Sequence, residues 1–157
     1  MKLLLNIQKA TQHLKNIPTK KDFTSWIKAA LKVANEHQFD KEVTIRLVDE
    51  AESAEFNEKY RHKKGPTNIL SFSYESMPLS EPCYLGDLLI CVPLVFQEAK
   101  EQNKSATVHW AHLTIHGILH LLGYDHMKKK EAAVMEELEI KILKQLGYKN
   151  LFTKIFF

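Results

Sequence analysis

From Val43 to Val48 the chain reads Val-Thr-Ile-Arg-Leu-Val, alternating apolar and polar residues. That period of two, with β-branched residues, predicts a strand with one face buried. Leu3 to Ile7, Ile69 to Tyr74 and Leu85 to Val92 are three further strand segments. Between them the apolar period lengthens. Phe23, Trp26, Ile27, Ala30, Leu31 and Ala34 recur at helical spacing after a loop from Asn16 to Lys21, with Asp22 or Thr24 as the expected cap. Trp26 lies in that stripe and reads as core rather than as a platform for a base. Asp49 is the expected cap of a helix from Glu50 to about Tyr60, with Ala51, Ala54, Phe56 and Tyr60 as its apolar side. Gly65-Pro66 marks a turn. The loop from Glu75 to Pro82, with two prolines, lets the strands on either side pair as antiparallel neighbours.

Pro93 suits the first turn of a helix running to about Gln102. After a polar connection, Asn103 to Thr107, Ser105 or Thr107 caps a helix that turns Val108, Ala111, Ile115, Leu119 and Leu122 inward. A last helix, about Lys130 to Leu146, carries Ala133, Met135, Leu138, Ile142 and Leu146, and Gly147 ends it. The aromatic, lysine-bearing tail from Tyr148 either packs on the body or frays. No internal repeat or linker interrupts the pattern. The expected fold is α+β: a single domain over 1–157, with one mixed sheet of about four strands and helices packed against it.

Composition narrows the class. A chain of 157 residues, 45% hydrophobic, can bury a sizeable core as one domain. The net charge of +3 permits nucleic-acid binding without arguing for it. Cys83 and Cys91 match neither a redox pair nor a zinc knuckle and read as thiols in a reducing compartment. The apolar run at Leu3 to Leu5 stops at Asn6, too short for a secretory h-region. No run approaches the roughly 20 apolar residues that span a bilayer. These features predict a cytoplasmic protein with no membrane partner.

The chemistry concentrates in His116 to His126, His-Gly-Ile-Leu-His-Leu-Leu-Gly-Tyr-Asp-His. His116 and His120, four apart, share one helical face. Gly123 offers a left-handed turn that brings His126 back towards them. Three imidazoles would leave a tetrahedral ion one open position, as catalytic zinc sites do. His109 and His112 precede on nearly the same face, but His126 lies beyond the helix end and reaches only the turn that holds His120. Hydrogen-bonded core histidines are the plainer alternative; three at these spacings favour a metal. Zinc is the first candidate, with nickel, copper or iron also suited to imidazole. Asp125 either orients a ligating ring or is a turn residue.

The spacing His-x-x-x-His-x-x-Gly-x-x-His is that of metzincin peptidases, which place a general-base Glu after the first His. Here that position is Gly117. Its missing side chain is read as room for a bulky substrate beside the metal. The densest basic cluster is Lys59, Arg61, His62, Lys63 and Lys64, suited to an RNA backbone, and Lys128 to Lys130 extends it beside His126. Tyr60, Tyr74 and Tyr84 are available to stack on unpaired bases.

His116 to His126 resembles the signature of the YbeY family of metal-dependent endoribonucleases. Tyr60 to Phe72 is similar to that family's arginine segment and following strand, and Leu85 to Ile90 to its next strand; His109-Trp110-Ala111-His112 fits as well. One departure is Ser73, where the family usually has proline. The resemblance implies an α+β fold with the metal site at the C-terminal end of a central helix. It implies a zinc-dependent, single-strand-specific endoribonuclease for 3′-end maturation of small-subunit ribosomal RNA, ribosome biogenesis and quality control. Its partners would be single-stranded or ribosomal RNA and the ribosome or its small subunit, with no DNA. It implies His116, His120 and His126 as metal ligands and, with Arg61, as the catalytic set; Arg61 would face transition-state charge. Lys59, Arg61, Lys63 and Lys64 are the RNA-binding candidates. No side chain stands out as general base. Rival readings are a metallopeptidase or other zinc hydrolase and a non-catalytic ribosome-binding factor. A zinc deaminase lacks its His-x-Glu and Pro-Cys-x-x-Cys pair here.

Overall fold

The structure is a computed structural model and describes residues 1–74, 82–125 and 127–148. Among the described residues, four strands and five helices follow the order β1 (Leu3–Ala10), α1 (Lys20–Val33), β2 (Lys41–Val48), α2 (Glu50–Arg61), β3 (Ile69–Ser73), β4 (Cys83–Cys91), α3 (Val92–Glu101), α4 (Ala106–Leu121) and α5 (Lys129–Gln145). The strands form one mixed sheet in the order β1-β2-β4-β3. β1, β2 and β4 run parallel, while β3 pairs antiparallel with β4 and forms an edge. The expected α+β architecture is therefore the observed one. The Glu75–Pro82 connection falls almost wholly outside the described residues, as does the tail beyond Tyr148.

Alternate positions along the strands face opposite ways. Val43, Ile45, Leu47, Ile69, Leu88 and Ile90 join the main core with Phe23, Trp26, Trp110, Ile115 and Met135 from α1, α4 and α5. Val48, Leu70 and Leu89 point to the other face and meet Phe56 of α2 and Phe72. α4 is the central helix: twelve of its sixteen residues are buried, so its polar side chains lie inside the protein. Ser105 caps it by accepting from the Val108 N–H at 3.2 Å.

Local signals were partly misassigned from sequence. α1 starts one turn earlier than Asp22 or Thr24 would allow. Thr19 is its cap, and Asp22 closes a reciprocal capping box by accepting from the Thr19 N–H at 2.9 Å. Asp49 sits at the N-cap of α2 without capping it through its side chain. Its carboxylate instead accepts from the Thr11 hydroxyl, the Gln12 N–H (2.9 Å) and His13 Nδ1 (3.1 Å), tying the end of β1 to α2. Of the expected apolar side of α2, Phe56 packs on the core, but Ala51 and Tyr60 are exposed, and the buried residues are Ser53 and Asn57.

Cys83 and Cys91 are thiols at opposite ends of β4. Burial pushes the Cys91 thiol up to about 11, against a backbone N–H from Leu94 that favours the thiolate. A thiol raised on folding adds stability below its ordinary value near 9, and that contribution fades as pH rises towards 11. Cys91 is accordingly expected to resist a thiol reagent at pH 8 until the chain is denatured, whereas Cys83, half-buried, reacts first. Equal labelling rates for both cysteines in the folded protein would contradict this burial.

Candidate metal centre and substrate cleft

Three chain segments meet at one cavity of about 550 Å³. Tyr60 and Arg61 come from the end of α2, residues 69–73 from edge strand β3, and His120, Gly123, Tyr124, Asp125 and Met127 from the end of α4 and the turn after it. Each wall has a local cause. α2 stops because His62 adopts a left-handed conformation, φ 57°, leaving Arg61 as its last residue. The loop after it is held by the two polar residues that replace an apolar stripe. Ser53 Oγ donates to the Thr67 carbonyl (2.7 Å) and accepts from the Thr67 N–H (2.9 Å), while Asn57 Nδ2 donates to the Gly65 carbonyl (2.9 Å). The sequence signal for this role was a pair of buried-face polar residues four apart on α2.

α4 ends as its glycine predicts. Gly123 has φ +100°, its N–H donates to the His120 carbonyl (3.0 Å), and the Tyr124 N–H returns to the Leu119 carbonyl (3.0 Å). This turn places His120 at the cavity wall, half-buried. His116 lies one turn deeper, 4% exposed. Their Nε2 atoms are 3.0 Å apart, with ring centroids at 4.6 Å. His126 lies outside the described residues.

Glu139 of α5, 5% exposed, was not singled out in the sequence. One carboxylate oxygen is 2.9 Å from His116 Nδ1 and the other 2.8 Å from His112 Nε2. Burial pushes its carboxyl up, but hydrogen bonds from His112 and His116 and their charges outweigh that and bring it down to about 2. An ionised carboxylate only accepts, so both imidazoles donate to it. His116 therefore carries a proton on Nδ1, and in its neutral form presents a lone pair at Nε2.

That donor set fits a divalent metal. Two nitrogens each ~2.0–2.1 Å from a tetrahedral ion lie about 3.3 Å apart, close to the observed separation. Without a cation the same contact is an N–H···N hydrogen bond from His120 to His116. Among the described residues no group of three His, Cys, Asp or Glu is arranged around one point, so the described site offers two imidazoles.

The other histidines of α4 do different work. His109 Nε2 contacts Glu98 of α3 at 2.9 Å, and Glu98 in turn accepts from Asn68 Nδ2 at 3.1 and 3.2 Å. Of the histidines on α4, only His120 in the last turn lines the cavity. Gly117 corrects one sequence reading. A Cβ there would lie 2.8 Å from both Ile69 Cδ1 and Leu88 Cδ2. This glycine lets α4 sit close on the sheet; it leaves no space for substrate. A glutamate at 117 would point into the core, so the peptidase-type general base has no place in this helix.

Of the basic cluster, only half-buried Arg61 lines the cavity; Lys59, Lys63 and Lys64 are exposed outside it. Tyr60 also lines it, stacked on Phe56 (5.6 Å, 15°) and edge-on to Phe72 (5.2 Å, 70°). Tyr74 is exposed and edge-on to Tyr84. Tyr84 belongs to the sheet face, its hydroxyl donating to Asp87 and accepting from the Thr44 hydroxyl (2.6 Å). Asp125 accepts from the Met127 N–H at 3.1 Å, as a turn aspartate does.

The fold is α+β, with paired imidazoles at the end of its central helix and an arginine from the end of α2 at the cavity that His120 lines. Comparison with known proteins is more specific. Residues 6–147 match the family model described as Endoribonuclease YbeY. Endoribonuclease YbeY of Coxiella burnetii strain Dugway 5J108-111 is 48% identical over 146 residues, covering 93% of this chain and 95% of that protein. The protein of the same name from strain RSA 331 / Henzerling II matches equally. A solution structure of a Thermotoga maritima protein superposes with a TM-score of 0.55 at 25% identity, over 90% of this chain and 91% of that one. The chain belongs to the YbeY endoribonuclease family.

Proposed function

We propose that this protein is a zinc-dependent endoribonuclease that cuts single-stranded RNA, acting as one YbeY-like hydrolase domain over 1–157. The observation that carries this reading is the approach of His116 Nε2 to within 3.0 Å of His120 Nε2, where His120 lines a cleft that also holds Arg61. His116, His120 and His126 are the proposed ligands. A divalent ion held by them supplies Lewis acidity to a phosphodiester and to water; nickel or another transition metal could do the same.

The chain's own residues do the rest. Arg61 offers a planar guanidinium to the non-bridging oxygens as charge builds on them during cleavage. Exposed Lys59, Lys63 and Lys64, near Arg61 in sequence, attract the flanking backbone through a salt-sensitive contact. Tyr60 gives an unpaired base an aromatic neighbour at the cleft wall. The proposed setting is the cytoplasm and the ribosome: 3′-end maturation of small-subunit rRNA, ribosome biogenesis and quality control. Among the described residues no helix is long and apolar enough to cross a membrane.

Single-turnover cleavage of an unstructured RNA by Arg61→Ala tests the assignment. A loss on the order of 10²-fold in kcat, with KM changed much less, is expected of a group that acts on developing charge. Arg61→Lys should recover only part of it, because an ammonium lacks the fork. Activity within threefold of wild type in Arg61→Ala would remove Arg61 from the chemistry.

A further inference from the structure

We propose that Glu139 is a positioning residue for the metal centre: its carboxylate fixes the ring orientation and the tautomer of His116, so that Nε2 is the atom turned towards His120. This rests on the metal reading of His116 and His120 and adds to it a residue from the last helix, 23 positions away in sequence.

The geometry is specific. Glu139 lies in the stripe Met135, Glu139, Ile142 and Leu143, the buried residues of α5. A leucine there would satisfy the core, whereas a buried carboxylate costs free energy unless it is paired. Both of its oxygens are paired, and both partners are imidazoles of α4 one turn apart, at 2.8 and 2.9 Å. His112 Nε2 anchors one oxygen, which fixes the carboxylate; the other oxygen then holds His116 Nδ1. His112 itself cannot be a ligand of the same ion through the nitrogen it gives to Glu139, and among the described residues its Nδ1 is buried without a hydrogen-bond partner. His112 is thus committed to Glu139, and Glu139 to His116.

A ring held only by packing can rotate or exchange tautomers. Placing the proton of His116 on Nε2 would remove the lone pair that faces His120. An acceptor behind the ring removes that alternative, which is why such outer carboxylates typically change metal affinity 10–100-fold.

The test uses the full chain and zinc alone. Zinc affinity is measured by chelator competition for wild type, Glu139→Ala and Glu139→Gln, with circular dichroism to confirm folding. In parallel, imidazole ¹⁵N spectra of the zinc-free proteins report the His116 tautomer, which a purely structural role would leave unchanged. Glu139→Ala is expected to bind zinc 10–100-fold more weakly and to lose the Nδ1–H form of His116. Glu139→Gln should lose less, because its amide oxygen can still accept from Nδ1. If Glu139→Ala does not fold, Glu139→Gln decides, with a loss of at least threefold expected. Zinc affinity within twofold of wild type in the folded variants, or an unchanged His116 tautomer in Glu139→Ala, overturns the proposal and leaves the metal reading standing. A wild-type protein that does not bind zinc overturns both.

Discussion

Replacing His120 by alanine is expected to lower cleavage of single-stranded RNA by about 10³-fold or more while leaving the fold intact. A Lewis acid is worth several kcal/mol at a phosphoryl group, and each ~1.4 kcal/mol is tenfold in rate. His120 is half-buried at the cavity wall, so truncation leaves little void. His116→Ala should be as inactive but is a poorer experiment. It would leave one oxygen of buried Glu139 without its imidazole, which costs about 1–3 kcal/mol of stability in addition. The two variants should therefore match in activity and differ in melting temperature. Undiminished cleavage by purified His120→Ala, with contaminating nucleases excluded, would be incompatible with the proposed centre.

The largest effect on stability is expected from Gly86→Ala. Gly86 lies in β4 at the irregularity where β2 pairing passes from Tyr84 to Gly86 without engaging Leu85. Its φ is +143°, in the region that L-residues rarely adopt. A Cβ there would lie 2.1 Å from the Phe72 carbonyl oxygen and 2.9 Å from Leu121 Cδ2. The first contact is with the backbone of the paired strand, which cannot yield without breaking the β3–β4 ladder. Backbone strain and overpacking each cost about 1–3 kcal/mol, so a loss of about 3–5 kcal/mol is expected. For a domain of this size that lowers the melting temperature by roughly 6–20 °C. Phe72 and Ser73 also line the cleft, so cleavage should fall with stability. A melting temperature within 3 °C of wild type would show that the two strands separate more easily than their register implies.

What the sequence revealed about the site was its local part. His116 and His120 share a face because four residues make about one helical turn, and Gly123 turns the chain because a glycine there can take positive φ. Both are short-range rules, and both hold. Ser105 as cap and Pro93 in the first turn of α3 are legible for the same reason. The unread part depends on which elements meet. Nothing near Glu139 says that α5 will lie beside α4; the only sign was an acidic residue in the stripe of Met135 and Ile142. Gly117 was misread because its neighbours, Ile69 and Leu88, come from distant strands. Asp49 was misassigned as a cap because its carboxylate is taken by residues 11–13 at the end of β1.

These long-range contacts also divide the basic cluster. Its residues look alike in sequence, yet α2 ends so that Arg61 enters the cavity while Lys59, Lys63 and Lys64 stay outside. Ser53 and Asn57 make that division by clamping the following loop. In the proposed reaction, Arg61 inside the cleft would act on the reacting phosphate and the exposed lysines on the rest of the strand.

Metal content and RNA cleavage measured on one preparation bear most directly on all of this. Purified protein is stripped with a chelator, then titrated with zinc while bound metal and the cutting of an unstructured RNA are followed together. One ion per chain is expected, with cleavage absent from the stripped protein and returning in proportion to occupancy. Full cleavage by stripped protein, or zinc uptake that restores none, would contradict the account.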